Sequence, residues 1–115
     1  MTPGFIYIIK DISLTQCYKI GHTNNPSRRV YEFGIALPFE VMVVMLIKVN
    51  DPLELEKVLH EQFADKRING EWFKLTEAEI TYAKCMIELR IMYSKFKPED
   101  RIKFEDYLKS KGVPA

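Results

Sequence analysis

Two short runs of β-branched and aromatic residues, Phe5-Ile6-Tyr7-Ile8-Ile9-Lys10 and Cys17-Tyr18-Lys19-Ile20-Gly21, stand on either side of the turn-like stretch Asp11 to Gln16. Such residues suit a pleated, half-buried surface, and two of these runs joined by a short connection predict a β-hairpin. Asn25-Pro26 then offers a side-chain cap and a proline pre-set for a first helical turn, so a short helix is expected, stopping near Phe33-Gly34 where glycine suits the C-terminal end. Glu40 to Val49 is almost continuously apolar, the pattern of a central strand covered on both faces. Asp51-Pro52 repeats the cap-and-proline signal and opens a helix from about Leu53 to Phe63.

Ile68-Asn69-Gly70 reads as a turn before a short strand, Glu71-Trp72-Phe73-Lys74-Leu75. Thr76-Glu77-Ala78-Glu79 matches the capping box, so a long helix is expected from there to Phe96, ended by Pro98. Its apolar residues, among them Ile80, Ala83, Ile87, Leu89 and Met92, form a stripe wider than one core-facing side needs. A last helix, about Glu99 to Lys109, is expected to pack Phe104, Tyr107 and Leu108. The order β-β-α-β-α-β-α-α predicts an α+β fold: a small, mostly antiparallel sheet flanked by helices. Residues 1–75 form the expected core, and residues 76–115 a C-terminal helical extension packed on the same domain.

At 115 residues the chain fits one domain, able to bury a core without disulfides or metals. Cys17 and Cys85 are far apart and in no metal-ligand spacing, which predicts two reduced thiols and a cytoplasmic setting. The opening residues show no basic segment followed by an apolar one, so no signal peptide is expected. The longest apolar run, Val41 to Ile47, is far too short to span a bilayer, so no membrane partner is expected. The net charge of +1 neither supports nor excludes nucleic acid; a DNA-binding surface would require the positive charge to gather on one face.

Gly4-Phe5-Ile6-Tyr7 and Tyr18-Lys19-Ile20-Gly21-His22, followed by Arg29 in the first helix and Glu56 in the second, resemble in their order the GIY-YIG endonuclease superfamily. The Lys-Ile-Gly segment, His60 and Gly70-Glu71-Trp72-Phe73 are most similar to its phage-associated, DNA-binding branch. The resemblance covers roughly Gly4 to Leu75. Two features depart from the nuclease pattern: Lys19 stands at the second motif tyrosine, and no asparagine follows Gly70. Some restriction-enzyme members resemble the Lys-Ile-Gly-His version.

The resemblance implies that Tyr7 orients or activates a water, with its proton affinity lowered by nearby positive charge such as Lys19. It implies that Arg29 grips the scissile phosphate, and that Glu56 holds one divalent ion, Mg²⁺ or Mn²⁺. Read alone, Tyr7 is more readily a core tyrosine with its hydroxyl satisfied, and Lys19 is equally an exposed strand lysine. Gly21 permits a close backbone approach or merely ends a strand, and His22 bonds phosphate or only solvent.

Helical spacing turns Arg29 toward the sheet and Arg28 to solvent, with Val30 and Phe33 as the core-facing pair. Leu55, Leu59 and Phe63 form the buried stripe of the second helix, with Glu56 and the supporting His60 one turn apart at its edge. Arg28, Lys57, Lys66 and Arg67 could extend a basic surface along a DNA phosphate backbone, while Glu71 could brace a basic neighbour. The leading expectation is a metal-dependent DNA endonuclease. A non-catalytic DNA-binding module on the same fold is the first alternative. A protein-interaction domain, dimerising through the C-terminal helices, is the second.

Overall fold

The computed structural model describes residues 3–37, 39–95 and 97–112, without the side chains of Ile35, Ala36, Arg101, Phe104 and Leu108. The predicted hairpin is present as β1 (Gly4–Asp11) and β2 (Cys17–Thr23), antiparallel, with Tyr7 opposite Gly21 and Ile6 opposite His22. There follow α1 (Pro26–Ala36), β3 (Val41–Val49), α2 (Pro52–Gln62), a single 3₁₀ turn (Ala64–Lys66), β4 (Arg67–Asn69), β5 (Trp72–Lys74), α3 (Glu77–Ser94) and α4 (Pro98–Ser110). The architecture is α+β: one five-stranded antiparallel sheet, in the order β3-β1-β2-β5-β4, with four helices.

Local signals set most of the boundaries. The Asn25 side chain accepts from Arg28 N–H and the Asp51 side chain from Glu54 N–H, each with a proline at the helix start. Thr76 and Glu79 form the reciprocal capping box. Gly34 does not stop α1, which runs on to Ala36 and ends at Leu37, an extended residue immediately before Pro38 in the sequence. Steric conflict with the following proline disfavours helical geometry at Leu37. The segment read as a turn at Ile68-Asn69-Gly70 contains a short strand, β4, and the reversal itself falls at Gly70, whose φ of +54° suits glycine.

Alternation along β1 sorts its residues between two layers. Ile6 and Ile8 face α2 and α3, joining Ile20, Leu55, Leu59, Phe63, Phe73, Ile80, Ala83 and Ile87 in the main core. Tyr7 and Ile9 face the other way and pack with Phe33 of α1. Val30, expected to share that role, is 48% exposed. The expected last packing residues lie partly outside the described part: Phe96 is not described, nor are the side chains of Phe104 and Leu108, and Tyr107 is exposed. Tyr93 of α3 donates through its hydroxyl to the Glu105 carboxylate of α4.

One expectation about the sheet is overturned. β3 is an edge strand, with Met42, Val43 and Leu46 exposed, and the strand covered on both faces is β1. An apolar run can fill either position; which one it takes depends on pairing between distant segments, which composition does not encode. A register shift between Ile8 and Ile9 accompanies this edge, a local irregularity of the kind that discourages further strand addition. No helix among the described residues is long and apolar enough to cross a membrane.

A tight fit fixes the hairpin. A methyl group at position 21 would sit 2.3 Å from the Tyr7 hydroxyl oxygen and 2.4 Å from the ring carbon bearing it. Tyr7 is itself 3% exposed and packed edge-on against Phe33. Gly21→Ala is therefore expected to destabilise the protein by about 1–3 kcal/mol through overpacking, measured by urea unfolding. A change below about 0.5 kcal/mol, the scale of an innocuous surface substitution, would contradict the tight contact.

Candidate functional site

β5 pairs with β2 only along Cys17–Lys19, so the far end of β2, from Gly21 to Thr23, is paired with β1 on one side and has no strand on the other. At the junction the Ile20 N–H donates to the Glu71 carbonyl at 3.2 Å. Glu71 therefore stands where β5 parts from β2. Helix α2 crosses the core face of the hairpin, and burying Leu55 and Leu59 brings Glu56 and His60 to this open edge.

His60 fastens the helix there. Its Nε2–H donates to the Ile20 carbonyl at 2.8 Å, its ring meets Phe73 edge-on at 4.9 Å, and Arg67 donates to its Nδ1 at 3.5 Å. His60 is thus a brace between α2 and β2.

Glu56 is 6% exposed although it carries a carboxylate. His22 donates from Nδ1 to Glu56 Oε2, while His60 Nε2 stands 3.6 Å from Oε1. The Glu71 carboxyl lies within hydrogen-bonding reach of the same group. Burial holds the Glu56 carboxyl above its usual pKa range, and the bond and negative charge of Glu71 push it further up against the opposing pull of His22.

Tyr7 and Arg29 occupy the opposite layer. They line a shallow apolar hollow with Thr23, Pro26, Phe33 and Leu46, and the Tyr7 and Phe33 rings meet edge-on at 5.5 Å. The sequence predicts that positive charge lowers the proton affinity of Tyr7, and the structure reverses this. Burial holds the phenol above its ordinary pKa, Glu71 raises it again, and the lowering by Arg29 is outweighed. The phenol stays protonated at any ordinary pH.

Lys19 is not a plain surface lysine. Its ammonium is 3.5 Å from Glu71 Oε2 and lies 5.7 Å and 5.9 Å from the ring centres of Phe33 and Trp72. Arg28 points to solvent, and both Arg28 and Arg29 bond Glu32, at 3.0 and 3.4 Å.

The proposed set is therefore divided between two hollows. Tyr7, Arg29 and Lys19 belong to the α1 side, and Glu56, His22 and His60 to a groove of about 770 Å³ on the α2 side. At the end of β2 that β5 leaves uncovered, the Tyr7 phenol feels the charges of both Glu71 and Glu56. Glu71, which the sequence offers only as a brace for a basic neighbour, turns out to border both sides. Only the β2–β5 register, with Lys19 opposite Trp72, brings it there.

Lys57 and Arg67 also line the groove, and Lys66 is exposed in the 3₁₀ turn beside it. The groove also carries Glu54, Glu56, Glu61 and Glu71, so its carboxylates outnumber its permanent cations. A concentrated positive face is not found in this groove. Among the described residues, no group of three or more His, Cys, Asp or Glu could hold a metal ion.

The fold and site define a small α+β domain with a buried carboxylate–histidine pair at a gap in its sheet. The chain belongs to the T5orf172 domain family, which it matches over residues 4–88, from the start of β1 into α3. These domains are phage-associated and often linked to DNA-binding or endonuclease-like functions. Neither a curated protein nor a solved structure matches the chain.

The raised Glu56 group has a consequence for stability. A carboxyl whose folded pKa exceeds the unfolded value of about 4.3 binds more protons when folded, so its contribution weakens as pH rises through the folded value. Glu56→Gln removes this term. The variant is expected to show a smaller loss of stability than the parent between acid and neutral pH, read from paired denaturation curves. Parallel pH profiles for the two would contradict the assignment.

Proposed function

We propose that the protein is a divalent-metal-dependent endonuclease that hydrolyses the phosphodiester backbone of DNA. The observation that carries this reading is the buried Glu56 carboxylate, held by His22 on one oxygen, at the gap beside Tyr7 and close to Glu71. Burying an acid next to a second acid is unfavourable unless function requires it, and such perturbed groups cluster at reactive sites.

The donor fits a hard ion. Glu56 offers carboxylate oxygen, and Mg²⁺ or Mn²⁺ is commonly held by one or two carboxylates plus water and substrate phosphate. When bound, the ion would supply Lewis acidity and stabilise the leaving oxygen.

His22 and Tyr7 divide the work on water. With Nδ1–H committed to Glu56, the His22 ring presents Nε2 as its basic nitrogen. It takes the proton of the attacking water, and the Glu56 carboxylate stabilises the imidazolium that forms. Tyr7, kept protonated by its surroundings, donates a hydrogen bond that orients this water or a phosphate oxygen. Arg29 contributes its guanidinium to the phosphate from the α1 side, and Lys19 adds a point charge nearby.

The acidic groove favours catalysis over simple DNA binding. Four glutamates against Lys57 and Arg67 would repel a polyanion unless cations first neutralise them. DNA binding, measured by fluorescence anisotropy at low salt, is therefore expected with Ca²⁺ and lost in EDTA. Supercoiled plasmid should be nicked in Mg²⁺ or Mn²⁺. Glu56→Gln and His22→Ala should each slow nicking on the order of 10²- to 10³-fold, the scale of acid–base and electrostatic contributions. Tight DNA binding in EDTA without nicking in any metal would replace this reading with the binding-module alternative.

A further inference from the structure

We propose that Glu71 is a positioning residue that ties the two hollows into one reaction centre by tethering the Lys19 ammonium beside the Glu56 carboxylate. This deepens the nuclease reading above and rests on it. Three contacts carry it. The Glu71 backbone is fastened to β2 through the Ile20 N–H bond at the point where β5 ends. Its side chain holds Lys19 at 3.5 Å on one side and reaches Glu56 on the other.

Lys19 would otherwise have little to hold it in place. It sits on a strand facing α1, and its ammonium rests against the Phe33 and Trp72 rings, contacts worth about 0.5–1 kcal/mol at a partly exposed position. A four-carbon side chain with three rotatable donors loses such a position readily. The Glu71 carboxylate, 3.5 Å away, limits that freedom. Glutamate suits this role where a neutral side chain would not, because its charge attracts Lys19.

The test uses the full chain carrying Glu71→Gln and Glu71→Asp. The first readout is independent of activity. The Lys19 ε-methylene protons lie near two aromatic rings, so their NMR signal, assigned by its loss in Lys19→Arg, is shifted by ring currents. Glu71→Gln is expected to move that signal toward the value of a solvent-exposed lysine, and Glu71→Asp to move it only partly. The second readout is plasmid nicking: kcat should fall on the order of 10- to 100-fold in Glu71→Gln, as for a misplaced group. KM should stay within about twofold, since the loss is confined to the transition state, and Glu71→Asp should recover part of the rate.

An unchanged Lys19 signal in a folded Glu71→Gln protein would overturn the tether. A lost ring shift in a protein that nicks no DNA would uphold the tether and overturn the nuclease reading. A lost ring shift with full nicking activity would show that the tether does not serve the reaction, and would overturn the proposal.

Discussion

The Tyr7 side chain crosses from β1 to β2 and rests where Gly21 has no side chain. This contact governs the rest of the site. A residue with a Cβ at position 21 would push the phenol away from the strand, and the sheet would then separate the α1 layer from the α2 layer as sheets ordinarily do. With glycine there, and with β5 ending at Lys19, the edge of β2 becomes a passage between the layers. Tyr7, from one layer, comes within electrostatic reach of Glu56 and Glu71. The close approach that the sequence suggests for a phosphate is made by a phenol.

The α2 side contributes the complementary constraint. Leu55 and Leu59 anchor the helix in the core, and His60 bonds to the Ile20 carbonyl, so the helix cannot slide along β2 without losing both. Glu56, one turn earlier, is thereby held against His22. The two histidines differ in role for a physical reason. Both ring nitrogens of His60 are occupied by fold-defining partners, whereas His22 is 39% exposed and spends one nitrogen on the carboxylate. Burying Glu56 beside a second, partly exposed acid is an electrostatic cost carried by a core of well-packed aliphatic and aromatic side chains. Local instability of this kind is what a reactive site requires.

Much of the fold was legible because its signals are local. The hairpin, the two cap-and-proline helix starts and the Thr76–Glu79 capping box each depend on residues within a few positions of one another. The edge position of β3 and the presence of β4 were not legible, since strand order follows from long-range pairing. The site shows the same division. The spacing of Glu56 and His60 on one helix edge is readable, and so is the bias of Arg29 toward the sheet. The His22–Glu56 pair, 34 residues apart, is not, and neither is the arrival of Glu71. The reversed expectation for Tyr7 comes first from burial of the phenol and then from Glu71, an acid that pairs with Lys19 and also faces the phenol.

The central claim is convergence, that residues from both layers surround a single centre at the open end of β2. Mn²⁺ titrated into protein with isotopically labelled tyrosine and histidine rings tests this directly, because a paramagnetic ion broadens only nearby signals. Convergence predicts that the Tyr7 and His22 ring signals broaden together at low Mn²⁺, while those of the exposed Tyr82 and Tyr107 persist. Broadening of His22 with Tyr7 left sharp would mean that the sheet keeps the two layers apart, and would contradict the account.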